Sequence, residues 1–246
     1  MRLISLFLIV LYIMVGSVPA YAQDWITKDW VIYVSKLDGF RLAFPAKPQI
    51  QETTWSSEYY NRLPARVYTY VEGPDRFSMT AVDYTNIEKI DNERIAACQL
   101  TGGQGDTCQG EWVKDVQGSI VYAIWTFMER GGKITNFSWY WVDMIASHRI
   151  QMENPDGGYT LASFHQHGNK LYITEATVGP GKPVPLQFRE PLQFANRDGN
   201  TVGYQTFYTN GYEGPWRFPS PQPPLRRQGN NDQYADTFGL KVEILN

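Results

Sequence analysis

Signatures of catalysis and of nucleic-acid binding are what this sequence most clearly lacks. Its 22 lysines and arginines are outnumbered by 25 aspartates and glutamates, which gives a formal net charge of −3. Nucleic acids and anionic membranes bind basic surfaces, so this balance argues against both as partners. With only three histidines and no G-x-S-x-G motif, nothing in the chain indicates a nucleophilic hydrolase.

Motifs for phosphate and cofactor binding are missing as well. The glycine-rich stretch 102–105 lacks the Gly-Lys-Ser/Thr ending of a phosphate-binding loop, and it does not lead directly from a strand into a helix. The sequence therefore predicts no cofactor, and it favours a protein without catalytic activity.

The first 22 residues have the order of a secretory signal peptide. Arg2 supplies a positive charge, an apolar run follows over 3–15, and Ala20 and Ala22 are small residues where signal peptidase cuts. The run is shorter than the roughly 20 residues of a membrane-spanning helix, which argues against an uncleaved anchor. We therefore expect cleavage after Ala22 and a mature protein that is periplasmic or secreted, with no stable membrane anchor.

The two cysteines fit such an oxidising compartment. Cys98 and Cys108 enclose nine residues that include three glycines, a loop too flexible to hold its own conformation. A disulfide that closes so short a loop stabilises the fold by about 2–3 kcal/mol in the chain-entropy model. Redox pairs use the C-x-x-C spacing instead, so we predict a structural disulfide.

Hydrophobic periodicity predicts strands on both sides of a helical middle. The predicted strands are 30–34, 40–44, 49–55, 66–71, 76–82, a run from 133, 159–167, 170–178 and 200–208, and the predicted helices are 87–97, 111–130 and 185–194. Asp38-Gly39 and Gly168-Asn169 are typical of two-residue hairpin turns. Because hairpins join strands that run antiparallel, we predict an α+β fold with a mostly antiparallel twisted sheet and helices packed on it.

One domain followed by a tail is the expected organisation. Residues 23–213 carry the predicted strands and helices of a single α+β domain, whereas 214–246 is rich in proline and should be extended or disordered at its start. Phe238, Leu240 and Val242 nevertheless alternate with polar residues near the end. This alternation favours a terminal strand at a sheet edge, in this chain or in a partner.

Strand and turn residues early in the domain resemble a known family. They lie in the segments 39–45, 47–48, 66–68 and 82–84. These segments resemble the opening strands of uncharacterised exported bacterial proteins whose fold is like that of the PsbP protein of photosystem II. The resemblance implies a PsbP-like fold and a non-enzymatic accessory or assembly role, with an envelope protein as partner.

Two histidines on one predicted strand are candidates for a metal site. His165 and His167 are two residues apart, so their side chains share a face, and paired imidazoles bind zinc or copper. Lys170 is predicted opposite His167 and would repel a cation, while a third ligand would have to come from His148 or Glu175. The alternative is a pair of solvent-exposed histidines that binds nothing.

Trp139 and Trp141 are candidates for a ligand-binding platform. They lie at period two with Phe137, and Asp143 has the same parity and could act as a polar handle. Such a row can stack on a sugar or a lipid. The alternative is that these rings are core, because apolar residues on both faces indicate a central strand covered on both sides; Asp143 would then be partly buried and need a partner.

These observations favour an exported protein that binds a partner or assists assembly without chemistry of its own. The alternatives are a small-molecule or glycan binder that uses the aromatic residues and a metal-binding protein or enzyme that uses His165 and His167. Each alternative depends on where the fold places these side chains.

The N-terminus of the native protein tests the predicted export. We expect material purified from the native host to have the mass of a chain that starts at Gln23, because signal peptidase removes residues 1–22. Intact-protein mass spectrometry with N-terminal sequencing measures this directly. Native material that retains residues 1–22 would contradict the leader and the periplasmic or secreted location together.

Overall fold

A computed structural model describes residues 25, 28–189, 192–204, 225–226 and 239–245. The predicted signal peptide and most of the predicted proline-rich tail lie outside these residues. The strands are β1 (Val31–Ser35), β2 (Phe40–Phe44), β3 (Gln49–Ser56), β4 (Arg62–Glu72), β5 (Asp75–Asp83), β6 (Lys133–Val142), β7 (Ile145–Glu153), β8 (Tyr159–His167), β9 (Lys170–Val178), β10 (Gln193–Ala195), β11 (Thr201–Gly203), β12 (Leu225–Arg226) and β13 (Lys241–Leu245). The helices are α1 (Ile87–Leu100), α2 (Trp112–Met128) and α3 (Leu186–Arg189), with a short 3-10 turn at Gly105–Cys108.

The strands form two sheets. The small sheet has the order β12-β11-β10-β2-β1-β13 and the large sheet the order β3-β4-β5-β9-β8-β7-β6. Neighbouring strands run antiparallel, apart from β1 and β13, which are parallel. The predicted α+β class with mostly antiparallel pairing is confirmed, although we expected one sheet and the structure has two. None of the helices within the described ranges is long and apolar enough to cross a membrane.

Two hydrophobic cores hold these layers together. The first lies between the sheets, where Phe40 of β2 meets Tyr68 of β4 edge to face with ring centroids 4.8 Å apart. The second lies on the other face of the large sheet, which α1 and α2 cover. Because strand side chains alternate between faces, neighbouring residues of one strand belong to different cores.

Helix α2 confirms the helix predicted over 111–130 and carries an apolar stripe on its buried face. Val116, Ile120, Ile124 and Phe127 are buried at helical spacing, and the helix packs on β8 and β9. The Phe127 ring meets Phe164 of β8 edge to face at 5.1 Å. The stripe therefore fixes which strands of the large sheet the helix covers.

The predicted disulfide is present in the structure. Cys98 and Cys108 are bonded with their Cα atoms 5.6 Å apart, so the bond joins the end of α1 to the 3-10 turn. Gly103 lies against it: a Cβ atom there would come within 2.4 Å of the Cys108 sulfur. Only glycine fits at this position, which explains one glycine of the loop.

A buried carboxylate fastens the β1–β2 turn to the large sheet. Asp38 accepts hydrogen bonds from two guanidinium nitrogens of Arg66 at 2.7 and 2.8 Å, from the Tyr68 hydroxyl at 2.6 Å and from Lys170 at 2.8 Å. Its backbone carbonyl also accepts the hydroxyl of Tyr172 at 2.6 Å. Burial opposes the charge on Asp38, but these donors outweigh it and lower its pKa to about 2.

Two segments differ from the sequence-based expectation. The run from Lys133 was predicted to be a central strand covered on both faces, but β6 is the last strand of the large sheet. The short helix predicted over 185–194 ends at Arg189, and the chain then forms β10 in the small sheet. In both cases the local pattern identified an apolar segment but did not indicate which distant element covers it.

The last described strand lies at a sheet edge. Residues 241–245 pair with β1 in parallel register, with Val31 beside Lys241 and Ser35 beside Leu245. Upstream of it, β12 pairs with β11. The small sheet thus combines strands from the beginning and the end of the sequence.

Replacing Asp38 tests this attachment. We expect Asp38→Asn to lower the free energy of unfolding by about 3 kcal/mol, because it leaves Arg66 and Lys170 without their buried anion. Asp38 has a lower pKa in the folded than in the unfolded chain, so its contribution is present above about pH 4 and is lost as the pH falls toward 2. Urea denaturation at pH 7 measures the effect.

The exposed Asp198 offers a matched control. Asp198→Asn makes the same chemical change where the carboxylate forms no ion pair within the described residues, so its unfolding midpoint should stay within error of the parent protein. Equal midpoints for the two variants would refute the role given to Asp38.

Candidate functional site

Three aromatic side chains of β6 lie half exposed in a row. The exposed fractions are 56% for Phe137, 50% for Trp139 and 50% for Trp141. The two tryptophan rings are neighbours with centroids 5.1 Å apart, and Phe137 stacks on the imidazole of His148 at 5.6 Å. The prediction that these rings are core is therefore wrong, because β6 ends the sheet and α2 covers β8 and β9 instead.

The opposite face of β6 is tied to the interior. Tyr140 points to that face, where its hydroxyl lies 2.9 Å from Nε2 of His165. The guanidinium of Arg149 lies 3.9 Å above the Tyr140 ring, a cation–π contact. These contacts of Tyr140 fix β6 on the face opposite to the aromatic row.

The outer edge of β6 carries no partner strand within the described residues. After Lys133 the strand has no charged residue, no proline and no glycine. Two other sheet edges do carry charge, with Glu52 on β3 and with Lys241 and Glu243 on β13. Charges and prolines normally protect an edge strand from pairing with other chains, so β6 is less protected than β3 or β13.

Asp143 is not part of β6, although its spacing from Trp139 and Trp141 predicted that it lies on the same strand face. The strand ends at Val142, and Asp143 and Met144 form the turn to β7 with φ angles of 48° and 69°. Two residues with positive φ are typical of a type I′ hairpin. The Asp143 carbonyl accepts the backbone N–H of Tyr204 at 3.3 Å, so the turn connects β6 to the segment after β11.

His165 is completely buried, so the predicted solvent-exposed histidine is wrong at this position. Its Nε2 atom lies 2.9 Å from the Tyr140 hydroxyl and 3.3 and 3.4 Å from the hydroxyls of Ser147 and Ser163. Burial disfavours the imidazolium and lowers the pKa of His165 to about 3. The side chain is a neutral, hydrogen-bonded member of the interior.

His167 has a similar environment nearer the surface. Its Nε2 lies 2.7 Å from the Tyr204 hydroxyl, and its ring packs on Phe194 with centroids 4.7 Å apart. Burial lowers its pKa to about 4. As predicted, His167 pairs across the hairpin with Lys170 and His165 with Tyr172.

The register separates the histidine pair from its proposed third ligands. His148 lies opposite Phe164 and Glu175 opposite Ala162. Phe164 and Ala162 alternate with His165 along β8, so His148 and Glu175 are on the other face of the sheet. Among the described residues, no group of three or more histidine, cysteine, aspartate or glutamate side chains is arranged to hold a metal ion.

Comparisons with known proteins add a weak similarity of fold. No protein-family model matches the sequence, and no curated protein matches it significantly. The structure is similar to the solution structure of cyanobacterial PsbP (CyanoP) from Synechocystis sp. PCC 6803, with a TM-score of 0.35 and 11% identity over 67% of this chain and 86% of that chain. At these values the similarity concerns the fold alone and assigns no role to any residue.

The buried His165 and the partly buried His167 predict an acid-sensitive fold. Both have lower pKa values in the folded than in the unfolded chain, so below about pH 6.5 the unfolded state binds more protons. We expect the free energy of unfolding to fall by up to about 1.4 kcal/mol per pH unit for each histidine between about pH 6 and pH 4. Urea denaturation across this range measures the slope.

Variants separate the histidines from the other titrating groups. His165→Phe and His167→Phe keep an aromatic ring and remove the titration, so each should flatten the pH dependence even where it lowers absolute stability. Slopes identical to that of the parent protein in both variants would show that these imidazoles are not held neutral by burial.

Proposed function

We propose that this protein is exported and is a non-catalytic binding protein whose strand β6 takes up an extended, apolar segment of an envelope protein. The observation that carries the proposal is the row Phe137, Trp139 and Trp141, half exposed on an edge strand that has no charge after Lys133. The outer backbone edge of β6 favours a partner segment in extended conformation, and the aromatic row favours a segment with apolar side chains.

The backbone supports strand addition. An edge strand presents N–H and C=O groups in the plane of its sheet, and a peptide that pairs with them extends the sheet by one strand. The segment 137–142 is six residues long without proline or glycine, which matches the usual length of a strand. The contact between Tyr140 and the buried His165 holds this part of the backbone in place.

The side chains define what the added strand must carry. Rings on one face at every second residue favour cross-strand contacts with apolar or aromatic side chains at the same spacing. A charged segment would gain no ion pair from β6 and would lose hydration. The favoured partner is therefore an uncharged segment with apolar residues at alternate positions.

The neighbouring tryptophans also support a second candidate, a glycan ligand. Trp139 and Trp141 form a continuous aromatic surface with centroids 5.1 Å apart, and sugar rings can stack on such surfaces. Asp143, the polar handle expected for sugar hydroxyls, lies in the turn rather than on the strand. The protein partner is therefore favoured over the glycan.

Selection of peptides tests the proposal on the purified mature protein. We expect a random peptide library displayed on phage to yield binders with apolar residues at alternate positions. Trp139→Ala should weaken a selected synthetic peptide by at least about tenfold, because truncating a central aromatic anchor costs roughly 2 kcal/mol. Fluorescence anisotropy of the labelled peptide gives the affinities.

Trp125 on α2 is a matched control. It is 51% exposed, close to the 50% of Trp139, so Trp125→Ala removes the same residue type at the same exposure but away from β6. Equal loss of peptide affinity in the two variants, or selected peptides without alternation, would refute strand addition at β6. Binding on a glycan array that depends on Trp139 and Trp141, with no peptide selected, would favour the second candidate.

A further inference from the structure

A cleft opens at the end of the sandwich where three turns meet. Its volume is about 560 Å³, within the usual range of small-molecule sites. The β1–β2 turn, the β8–β9 turn and the β10–β11 turn form its walls, together with the residues that follow β5. It therefore lies apart from the aromatic row of β6 and requires its own explanation.

Positively charged side chains outnumber carboxylates in this cleft, although the chain as a whole is acidic. Lys36, Lys170 and Arg197 line it, against the carboxylates of Asp38 and Asp83. Asp38 is buried and already accepts hydrogen bonds from two cations, Arg66 and Lys170. Its negative charge is thus neutralised inside the wall, and the cationic groups remain in excess.

Two of the cations have no ion-pair partner within the described residues. Lys36 and Arg197 are both exposed at the cleft. They also lie on neighbouring elements: a Cβ atom at Gly199 would be 3.2 Å from Cε of Lys36, so the lysine stem packs on the turn that carries Arg197. The two charges are therefore held on the same side of the cleft.

The remaining lining offers hydrogen-bond donors and an apolar wall. The side-chain oxygen of Asn196 accepts two backbone N–H groups of its own turn, at 2.9 and 3.0 Å, so its amide nitrogen is the atom left to donate. Tyr172, Val202 and Tyr204 supply aromatic and aliphatic surface. His167 lies 2.7 Å from the Tyr204 hydroxyl and fixes that ring.

We propose that this cleft binds a small organic anion, whose carboxylate or phosphate group is held by Lys36 and Arg197 and whose apolar part lies against Tyr204. Guanidinium and ammonium groups form charge-assisted hydrogen bonds with both kinds of anion. The proposal uses residues that the peptide-binding strand does not involve, so each of the two proposals can fail without the other.

Simple aromatic acids are suitable probes. Benzoate tests recognition of a carboxylate group, and phenyl phosphate tests recognition of a phosphate group. Acetate and inorganic phosphate are the matched anions without the aromatic ring. Benzamide has the aromatic ring of benzoate without its charge. We expect isothermal titration calorimetry on the mature protein to show binding of at least one aromatic anion, weaker binding of its small counterpart and none of benzamide. Binding should also weaken with added sodium chloride.

Charge-removing variants locate the site. Lys36→Gln/Arg197→Gln should reduce affinity at least about tenfold, because it removes both charge-assisted hydrogen bonds to the anionic group. Lys47→Gln/Arg62→Gln removes one lysine and one arginine that are exposed outside the cleft and should leave affinity unchanged. Thermal unfolding of both variants shows whether the fold is intact.

The outcomes decide the proposal in either direction. Loss of binding only in the Lys36 and Arg197 variant supports it, and the stronger of the two aromatic anions identifies the headgroup. Absence of anion binding at millimolar concentration, equal binding of benzamide, or equal loss in both double variants would overturn it.

Discussion

The carboxylate of Asp38 is the constraint on which the arrangement of the two sheets depends. It belongs to the turn of the small sheet, but its hydrogen-bond donors come from β4 and β9 of the large sheet. A buried carboxylate is stable only when its charge is compensated, so the turn can occupy this position only when both strands are present. The same ion cluster forms one wall of the cleft, which links the packing of the sheets to the proposed anion site.

Local patterns in the sequence were sufficient for the elements whose partners are close in the chain. The stripe of α2 identified its buried face, and Gly168-Asn169 gave the β8–β9 hairpin together with the register of His165 opposite Tyr172. Helical periodicity and turn-forming residues are properties of short segments, so the structures that they predict do not depend on distant parts of the chain.

The candidate site was harder to predict because its exposure depends on distant elements. Apolar residues on both faces of β6 predicted a strand that is covered on both sides. The helix α2 covers β8 and β9 instead, and nothing in residues 133–142 indicates which strands the helix packs on. His165 was expected at the surface, yet the ring of Phe194 from β10 packs against it. Residue type and spacing identified Trp139, Trp141 and the histidines, while the position of the covering elements decided which of them are accessible.

The pairing of β1 with β13 has a consequence for how the molecule acquires its structure. Val31 lies beside Lys241, so the small sheet cannot be completed until the late strand is available. Proteins dominated by contacts between remote segments fold slowly, since a long loop must close before such contacts form. The small sheet of a chain built in this way stays incomplete, with an edge of β1 unpaired, for as long as β13 is withheld.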